Sequence, residues 1–399
     1  MKLAFFKHLI CKISKQVECG RLVSGESAEE AMRKIKVLML VPNLFVANGV
    51  ASFVMNYLRN LDHNEIQVDI ASYKEGNSIY YSEVEKAGGK VLFLPGVKNL
   101  PEHIKACSKI LSEGQYDIIH DNTLHISIPM MWCAKQQGIS VRILHSHSSK
   151  LGETYKKELR NKLFRPVLRS LATDYLACSQ MAGQTMFEDR KFTVLPNIIQ
   201  TEKYQFDSAI RENVRRRMDA QDKYVIGSVG RLAAEKNPFF AIDVFQKLLE
   251  EMPNAEYWWV GSGTLDEQVK AYVEKRELSG KVKLLGSRND IVDLYQGMDV
   301  FFLPSLFEGL SIVTVEAQAM GLPCVVSDAI PPEAEYTGLL KRCSLNDSTE
   351  EWKKLIKNLQ SEKTDRKQYQ EYLIKSDFSD VGSGHRLKKV YECFLSKKR

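Results

Sequence analysis

The stretch Val300-Phe301-Phe302-Leu303-Pro304-Ser305-Leu306-Phe307-Glu308-Gly309-Leu310-Ser311-Ile312-Val313-Thr314-Val315-Glu316 decides the fold. An apolar strand over 300–305 runs out, Gly309 sits just past it, and a helix is expected from Ser311. The first N–H groups of such a helix have no intrahelical partner and favour an anion. A carboxylate stands on each side of that start: Glu308 before it and Glu316 on its second turn. Carboxylates accept hydrogen bonds from hydroxyls and repel phosphate. The pattern therefore predicts a ligand that carries both phosphate and sugar hydroxyls.

The same strand-then-helix rhythm runs through the rest of the chain. β-rich apolar runs at 35–41, 68–73, 90–94, 117–120, 141–145, 174–178 and 192–195 alternate with helical patterns such as 50–61 and 158–171. After a polar, charged stretch over 200–223, read as a linker with a short helix around Arg215-Arg216-Arg217, the rhythm resumes. Its strands are expected at 224–229, 256–260, 282–285, 300–303 and 324–327. Helices are expected over 238–251, 265–275, 291–297, 312–320, 350–360 and 363–374, with a last one in 381–398. This is α/β architecture built on two doubly wound parallel sheets. Such sheets bind ligands at the carboxyl ends of their strands, where every motif singled out here falls.

Of the 399 residues, 44% are hydrophobic and 27% charged, as in an ordinary globular chain large enough for two cores. A net charge of +6 suits an anionic ligand or an anionic membrane surface and does not by itself imply nucleic acid. The 8 cysteines are scattered without a C-x-x-C pair or zinc-type spacing, which points to reduced thiols and a cytoplasmic setting. No apolar run is long enough to span a bilayer. The first residues alternate basic and apolar types without the long apolar core of a secretory signal. Two readings are open for 1–34: an interfacial amphipathic helix, or a leader without fixed structure.

Several residues carry chemistry by type and place. Gly230 ends a strand, Arg231 follows it, and Lys236 comes five residues later. Arg offers a planar fork for phosphate oxygens and Lys a point charge. The loop with Arg288 follows another strand, and Asn289 and Asp290 there are also good helix caps. Asn48-Gly49 follows the first strand; Asn tolerates a left-handed turn better than most residues. His120, His145 and His147 fall at strand ends facing the expected cleft, and Asn197 follows Leu195-Pro196 at the junction of the halves. The helix over 158–171 interleaves Arg160, Lys162, Arg165 and Arg169 with Leu159, Leu163, Phe164, Val167 and Leu168. Its apolar face fits either core or an anionic membrane surface, and Pro166 is expected to kink or break it. No D-x-D motif for a divalent ion occurs.

Three blocks together resemble the retaining GT-B glycosyltransferases, the class of the glycogen synthases and bacterial polysaccharide glycosyltransferases. They are Phe307-Glu308-Gly309 with Glu316 and 317–326, Gly227-Ser228-Val229-Gly230-Arg231 through Asn237, and Leu195-Pro196-Asn197. The resemblance covers roughly 35–378, with the motifs in the family's order. It implies a GT-B fold: an acceptor domain over 35–199, a linker over 200–223, a donor domain over 224–378, and a helix in 379–399 crossing back.

The resemblance further implies that Arg231 and Lys236 hold the diphosphate and that Glu316 takes the ribose hydroxyls. Glu308 and His145 would meet the donor sugar. The amides of Gly309, Leu310 and Ser311 would contact sugar and phosphate, and the Arg288 loop would read the base. Asn48-Gly49 stands where the family commonly has Gly-Gly. His120 and His147 are assigned only to the cleft. The activity implied is metal-independent transfer of a hexose or N-acetylhexosamine from a nucleotide diphosphate sugar, with UDP expected. The acceptor is a glycan or lipid-linked glycan, at the cytoplasmic face of the membrane, for capsule or exopolysaccharide. No cofactor or metal is expected. Two other readings are open: a non-catalytic GT-B-like binding subunit, and a sugar-nucleotide 2-epimerase that would act without an acceptor.

Overall fold

The computed structural model describes residues 33–398 except 47, 153 and 363. The N-terminal segment 1–32, read above as helix or leader, lies outside the described residues. From Ile35 onward the chain forms one compact unit. It contains two parallel sheets. The first is ordered β3-β2-β1-β4-β5-β6-β7 and the second β10-β9-β8-β11-β12-β13.

In the first sheet the strands are β1 (Ile35–Val41), β2 (Ile66–Ser72), β3 (Val91–Phe93), β4 (Ile118–Asp121), β5 (Val141–Ser146), β6 (Asp174–Ala177) and β7 (Thr193–Val194). In the second they are β8 (Tyr224–Val229), β9 (Ala255–Val260), β10 (Val282–Leu284), β11 (Val300–Leu303), β12 (Cys324–Ser327) and β13 (Leu340–Cys343). Sequence patterning missed β13. Leu340-Lys341-Arg342-Cys343 has its middle residues exposed at a sheet edge, so it shows no apolar run. The central strands do: Val37 through Val41 are all fully buried, as expected for a parallel sheet covered by helices on both faces.

The helices that position the site are α1 (Gly49–Leu58), α2 (Tyr155–Leu171), α3 (Ser208–Arg217), α4 (Ile291–Gly297), α5 (Ile312–Ala319) and α6 (Ser383–Ser396). α2 runs unbroken through Pro166, contrary to the expected kink or break. Pro166 lies on the exposed side, where water can serve the carbonyl that loses its partner. The expected linker holds α3, which buries Val214 and Arg215. Arg211 and Arg215 pair with Asp299, and Arg215 also donates to Gly297 O at 2.8 Å, capping the end of α4. α6 packs Leu387, Tyr391 and Phe394 into the core formed by α1 and β1.

The chain passes between the halves twice, side by side. Ile199 and Ser379 form a parallel bridge. Thr201 donates to Asp380 Oδ1 from its amide at 3.1 Å and from its hydroxyl at 2.7 Å.

Candidate functional site

In each sheet the strand order reverses at the central pair, β1 beside β4 and β8 beside β11, and the crevice opens at their carboxyl ends. In the second half, β8 runs into Gly230, whose φ of 153° suits glycine. A Cβ there would stand 3.1 Å from Lys236 Cε, so the bare backbone lets the lysine lie across the strand end. Lys236 Nζ meets Glu308 Oε1 at 2.5 Å, and Ser305 Oγ donates to the same oxygen at 2.8 Å. Both members of the ion pair are nearly enclosed, with 13% of each side chain exposed. An ammonium has three donors, so Lys236 can keep Glu308 and still bind an added oxyanion.

Arg231 points elsewhere: it pairs with Glu235 at 2.7 Å, and 56% of its side chain is exposed. Arg288 is held by Asp290 through two bonds of 2.8 Å, and Asp290 also pairs with Arg217 of α3.

The helix expected from Ser311 begins at Ile312, with Ser311 as its cap residue. The Ser311 hydroxyl makes no capping bond and instead accepts from Thr314 Oγ1 at 2.7 Å. The start of α5 therefore keeps amide capacity for a ligand, while the Leu310 side chain is core. Glu316, one turn further on, accepts from Tyr204 Oη at 2.7 Å and from Tyr295 Oη at 2.9 Å. The residue keeps part of its surface, yet burial pushes its carboxyl up to about 7 against the lowering effect of both phenols.

In the first half, Asn48 contradicts the left-handed expectation. Its φ of −100° and ψ of 120° are extended, and its side-chain oxygen accepts from the amides of Val50 and Ala51 at 2.9 and 3.1 Å. It is the cap of α1. Open space surrounds the place of a Cβ on Gly49. Asn56 and Tyr57 of α1 donate to the carbonyls of Ile198 and Pro196 at 2.7 and 2.8 Å. They pin the turn that carries Asn197, whose buried Oδ1 lacks a partner among the described residues.

Strand register explains the histidines. β4 and β5 pair His120 with Ile143, and residues two apart share a face, so His145 and then His147 line up beyond His120. His120 Nε2 lies 3.0 Å from His145 Nδ1, and the His145 and His147 rings stack at 4.1 Å under the edge of Phe53. His120 does not line the cleft, contrary to expectation: it is fully buried behind His145. Burial pushes His120 and His147 down to about 3 and His145 well below the usual imidazole range, so all three are neutral near pH 7.

The two sets of residues meet. A Cβ on Gly309 would stand 2.1 Å from the His147 carbonyl oxygen, so only glycine permits this approach. Ser179 Oγ donates to Gly309 O at 2.8 Å, and the Lys150 ammonium lies 4.5 Å from the Phe307 ring centre. His145, His147, Glu308, Gly309 and Lys236 thus form one site, flanked by the Ser311 start of α5 and the Asn48-capped start of α1. Sequence reasoning missed Tyr204, Tyr295, Asn122 and Tyr391. The three tyrosines reach the site from distant segments, and Asn122, two residues after His120, belongs to no recognisable motif.

Two facing doubly wound sheets, joined by a double crossing, define a GT-B protein. Residues 47–203 match the model for Glycosyltransferase Family 4, and 210–376 match that for Glycosyl transferases group 1. The chain is 31% identical over 320 residues to EpsF of Bacillus subtilis, covering 77% of itself and 83% of that protein. It is 29% identical over 238 residues to the Escherichia coli UDP-Gal:alpha-D-GlcNAc-diphosphoundecaprenol alpha-1,3-galactosyltransferase, covering 55% and 60%. The fold also matches Anabaena HepE solved with UDP and glucose, with a TM-score of 0.76 at 18% identity over 90% of this chain and 99% of that one. The chain belongs to the glycosyltransferases of GT-B fold.

Proposed function

We propose that the protein is a retaining, metal-independent glycosyltransferase. It moves a hexose or N-acetylhexosamine from a UDP-sugar to a glycan, in lipid-linked form, during surface polysaccharide synthesis. The observation that carries this is the enclosed Lys236–Glu308 pair beside the contact of Gly309 with His147, which sets a cation and a hydroxyl acceptor against neutral imidazoles across the cleft. Support for the donor comes from HepE, whose structure holds UDP and glucose, and support for the lipid-linked acceptor from the E. coli relative.

In the proposed reaction the acceptor hydroxyl oxygen bonds to the anomeric carbon on the face the diphosphate leaves. The carbon–oxygen bond breaks, its electron pair stays on the phosphate oxygen, and that oxygen takes the acceptor proton. Lys236 and the amides at the start of α5 stabilise the charge that develops. Glu316 holds the ribose and Asn197 lines the cleft. Donor turnover across a panel of UDP-sugars tests the assignment. Normal rates in Lys236→Ala combined with Arg231→Ala would defeat it, as would loss of activity on removing divalent ions or an inverted anomeric centre in the product.

α2 supports a membrane-surface acceptor. Tyr155, Leu159 and Leu163, four residues apart, are 79%, 56% and 61% exposed, so this face is not core. Exposed Lys156, Arg160 and Lys162 flank the stripe, a pattern that suits an anionic bilayer. Among the described residues no helix is long and apolar enough to cross a membrane. Leu159→Asp with Leu163→Asp is expected to abolish co-sedimentation with phosphatidylglycerol vesicles while sparing UDP binding. Unchanged sedimentation would remove α2 from the membrane contact.

A further inference from the structure

We propose that Tyr391, on α6, is a positioning residue for the transfer: acting through His120, its hydroxyl sets the proton of His145 on Nε2, where it can donate to an oxygen of the bound sugar. The proposal rests on the donor-site reading above.

Tyr391 is fully buried, and among the described residues its hydroxyl has one hydrogen-bond partner, His120 Nδ1 at 2.8 Å. A buried O–H left without an acceptor is costly, so the phenol donates and His120 Nδ1 accepts. His120 is neutral, as its burial requires, and so carries its proton on Nε2. That N–H donates to His145 Nδ1 at 3.0 Å. His145, neutral for the same reason, must then carry its own proton on Nε2. This atom is buried and has no partner among the described residues. A purely structural network would account for Tyr391 and His120, but it leaves this donor unused. A ligand oxygen would satisfy it.

The neighbouring ring is fixed the other way round. Asn122 Nδ2 donates to His120 O at 3.2 Å, which orients its amide and turns Oδ1 toward His147 Nε2 at 2.9 Å. His147 therefore keeps its proton on Nε2 and leaves Nδ1 as an acceptor. The stacked pair offers one donor and one acceptor beside Gly309, and a sugar hydroxyl is both. α6 joins the site through Tyr391 although that residue lies on the far side of His120.

Long-range proton–nitrogen NMR on the full chain labelled with 15N-histidine tests this directly. The expected wild-type spectrum shows both His120 and His145 protonated on Nε2. Tyr391→Phe keeps the ring and removes the hydroxyl. It is expected to give His145 mixed tautomers and to lower kcat for the UDP-sugar roughly tenfold, the worth of one hydrogen bond. UDP affinity should not change, because the diphosphate is held in the other half. A wild-type His145 protonated on Nδ1 overturns the proposal, and that measurement needs no variant to fold. Tautomers that shift without any change in turnover also overturn it, by removing His145 from the sugar. The Lys236→Ala result reports separately on the donor-site reading.

Discussion

The two strand-to-helix turns that face each other across the cleft look alike in sequence and differ in chemistry. After β1, Asn48 caps α1 and spends its side-chain oxygen on the amides of Val50 and Ala51. After β11, Ser311 makes no cap to α5. The first turn has answered its own orphan amides, and the second leaves capacity for a ligand. The surrounding charges follow the same division. The second half presents Lys236, Glu308 and Glu316, whereas the first presents imidazoles that burial keeps neutral. In the proposed reaction the charged half would grip the anion and the neutral half would read hydroxyls.

The sharpest way to break this comparison is Lys236→Ala, expected to lower kcat/KM for the donor by about a thousandfold, as loss of a main charge stabiliser does. Arg231→Ala alone should cost far less, because Arg231 is mostly exposed and paired with Glu235. A steady-state comparison that reverses this order would move the diphosphate to Arg231.

Gly309→Ala tests whether the halves must touch. The added methyl meets the His147 carbonyl, and turnover is expected to fall by roughly a hundredfold, as a displacement of about 1 Å at a reacting centre can cause. Circular dichroism should show each half still folded. Unchanged turnover would mean that the Gly309–His147 contact is not part of the reacting arrangement.

Glu316→Gln should weaken UDP binding about tenfold, the effect of one charge-assisted hydrogen bond. It should also change the pH dependence of stability. The folded carboxyl titrates at about 7, above its ordinary value of 4.5, so the folded state holds its proton more tightly than the unfolded chain. That favourable contribution is complete below 4.5 and is lost as pH rises to 7. The variant's Tm relative to wild type should therefore rise between pH 5 and pH 8. A flat difference would show that burial does not raise the Glu316 carboxyl.

The smallest effect is expected at Asn48→Ala, a loss of about 1 kcal/mol of stability by urea unfolding. UDP binding should hardly change. A large loss of UDP affinity would instead make the first turn a ligand site like the second.

This contrast also explains what the sequence disclosed. Lys236, Glu308, Gly309 and Glu316 lie in short blocks whose local order resembles a known family, so their placement could be anticipated. The parallel sheets were legible because buried strands such as Val37–Val41 read as unbroken apolar runs. The edge strand β13 was not, because its exposed Lys341 and Arg342 interrupt the pattern. His120 was misplaced because whether a residue at a strand end lies at the surface or beneath a neighbour depends on packing between strands. Tyr204, Tyr295 and Tyr391 reach the site from the junction and two distant helices, and contacts across such separations leave no spacing to read. Asn48 misled through its type, since a residue that tolerates a left-handed turn is also a good cap.

The paired passage of the chain at Ile199 and Ser379 has a mechanical consequence. Two strands of backbone fastened together constrain the halves as a pin would, not as a pair of loose tethers: any swing of one half against the other would displace Thr201 and Asp380 least and the rim farthest from them most.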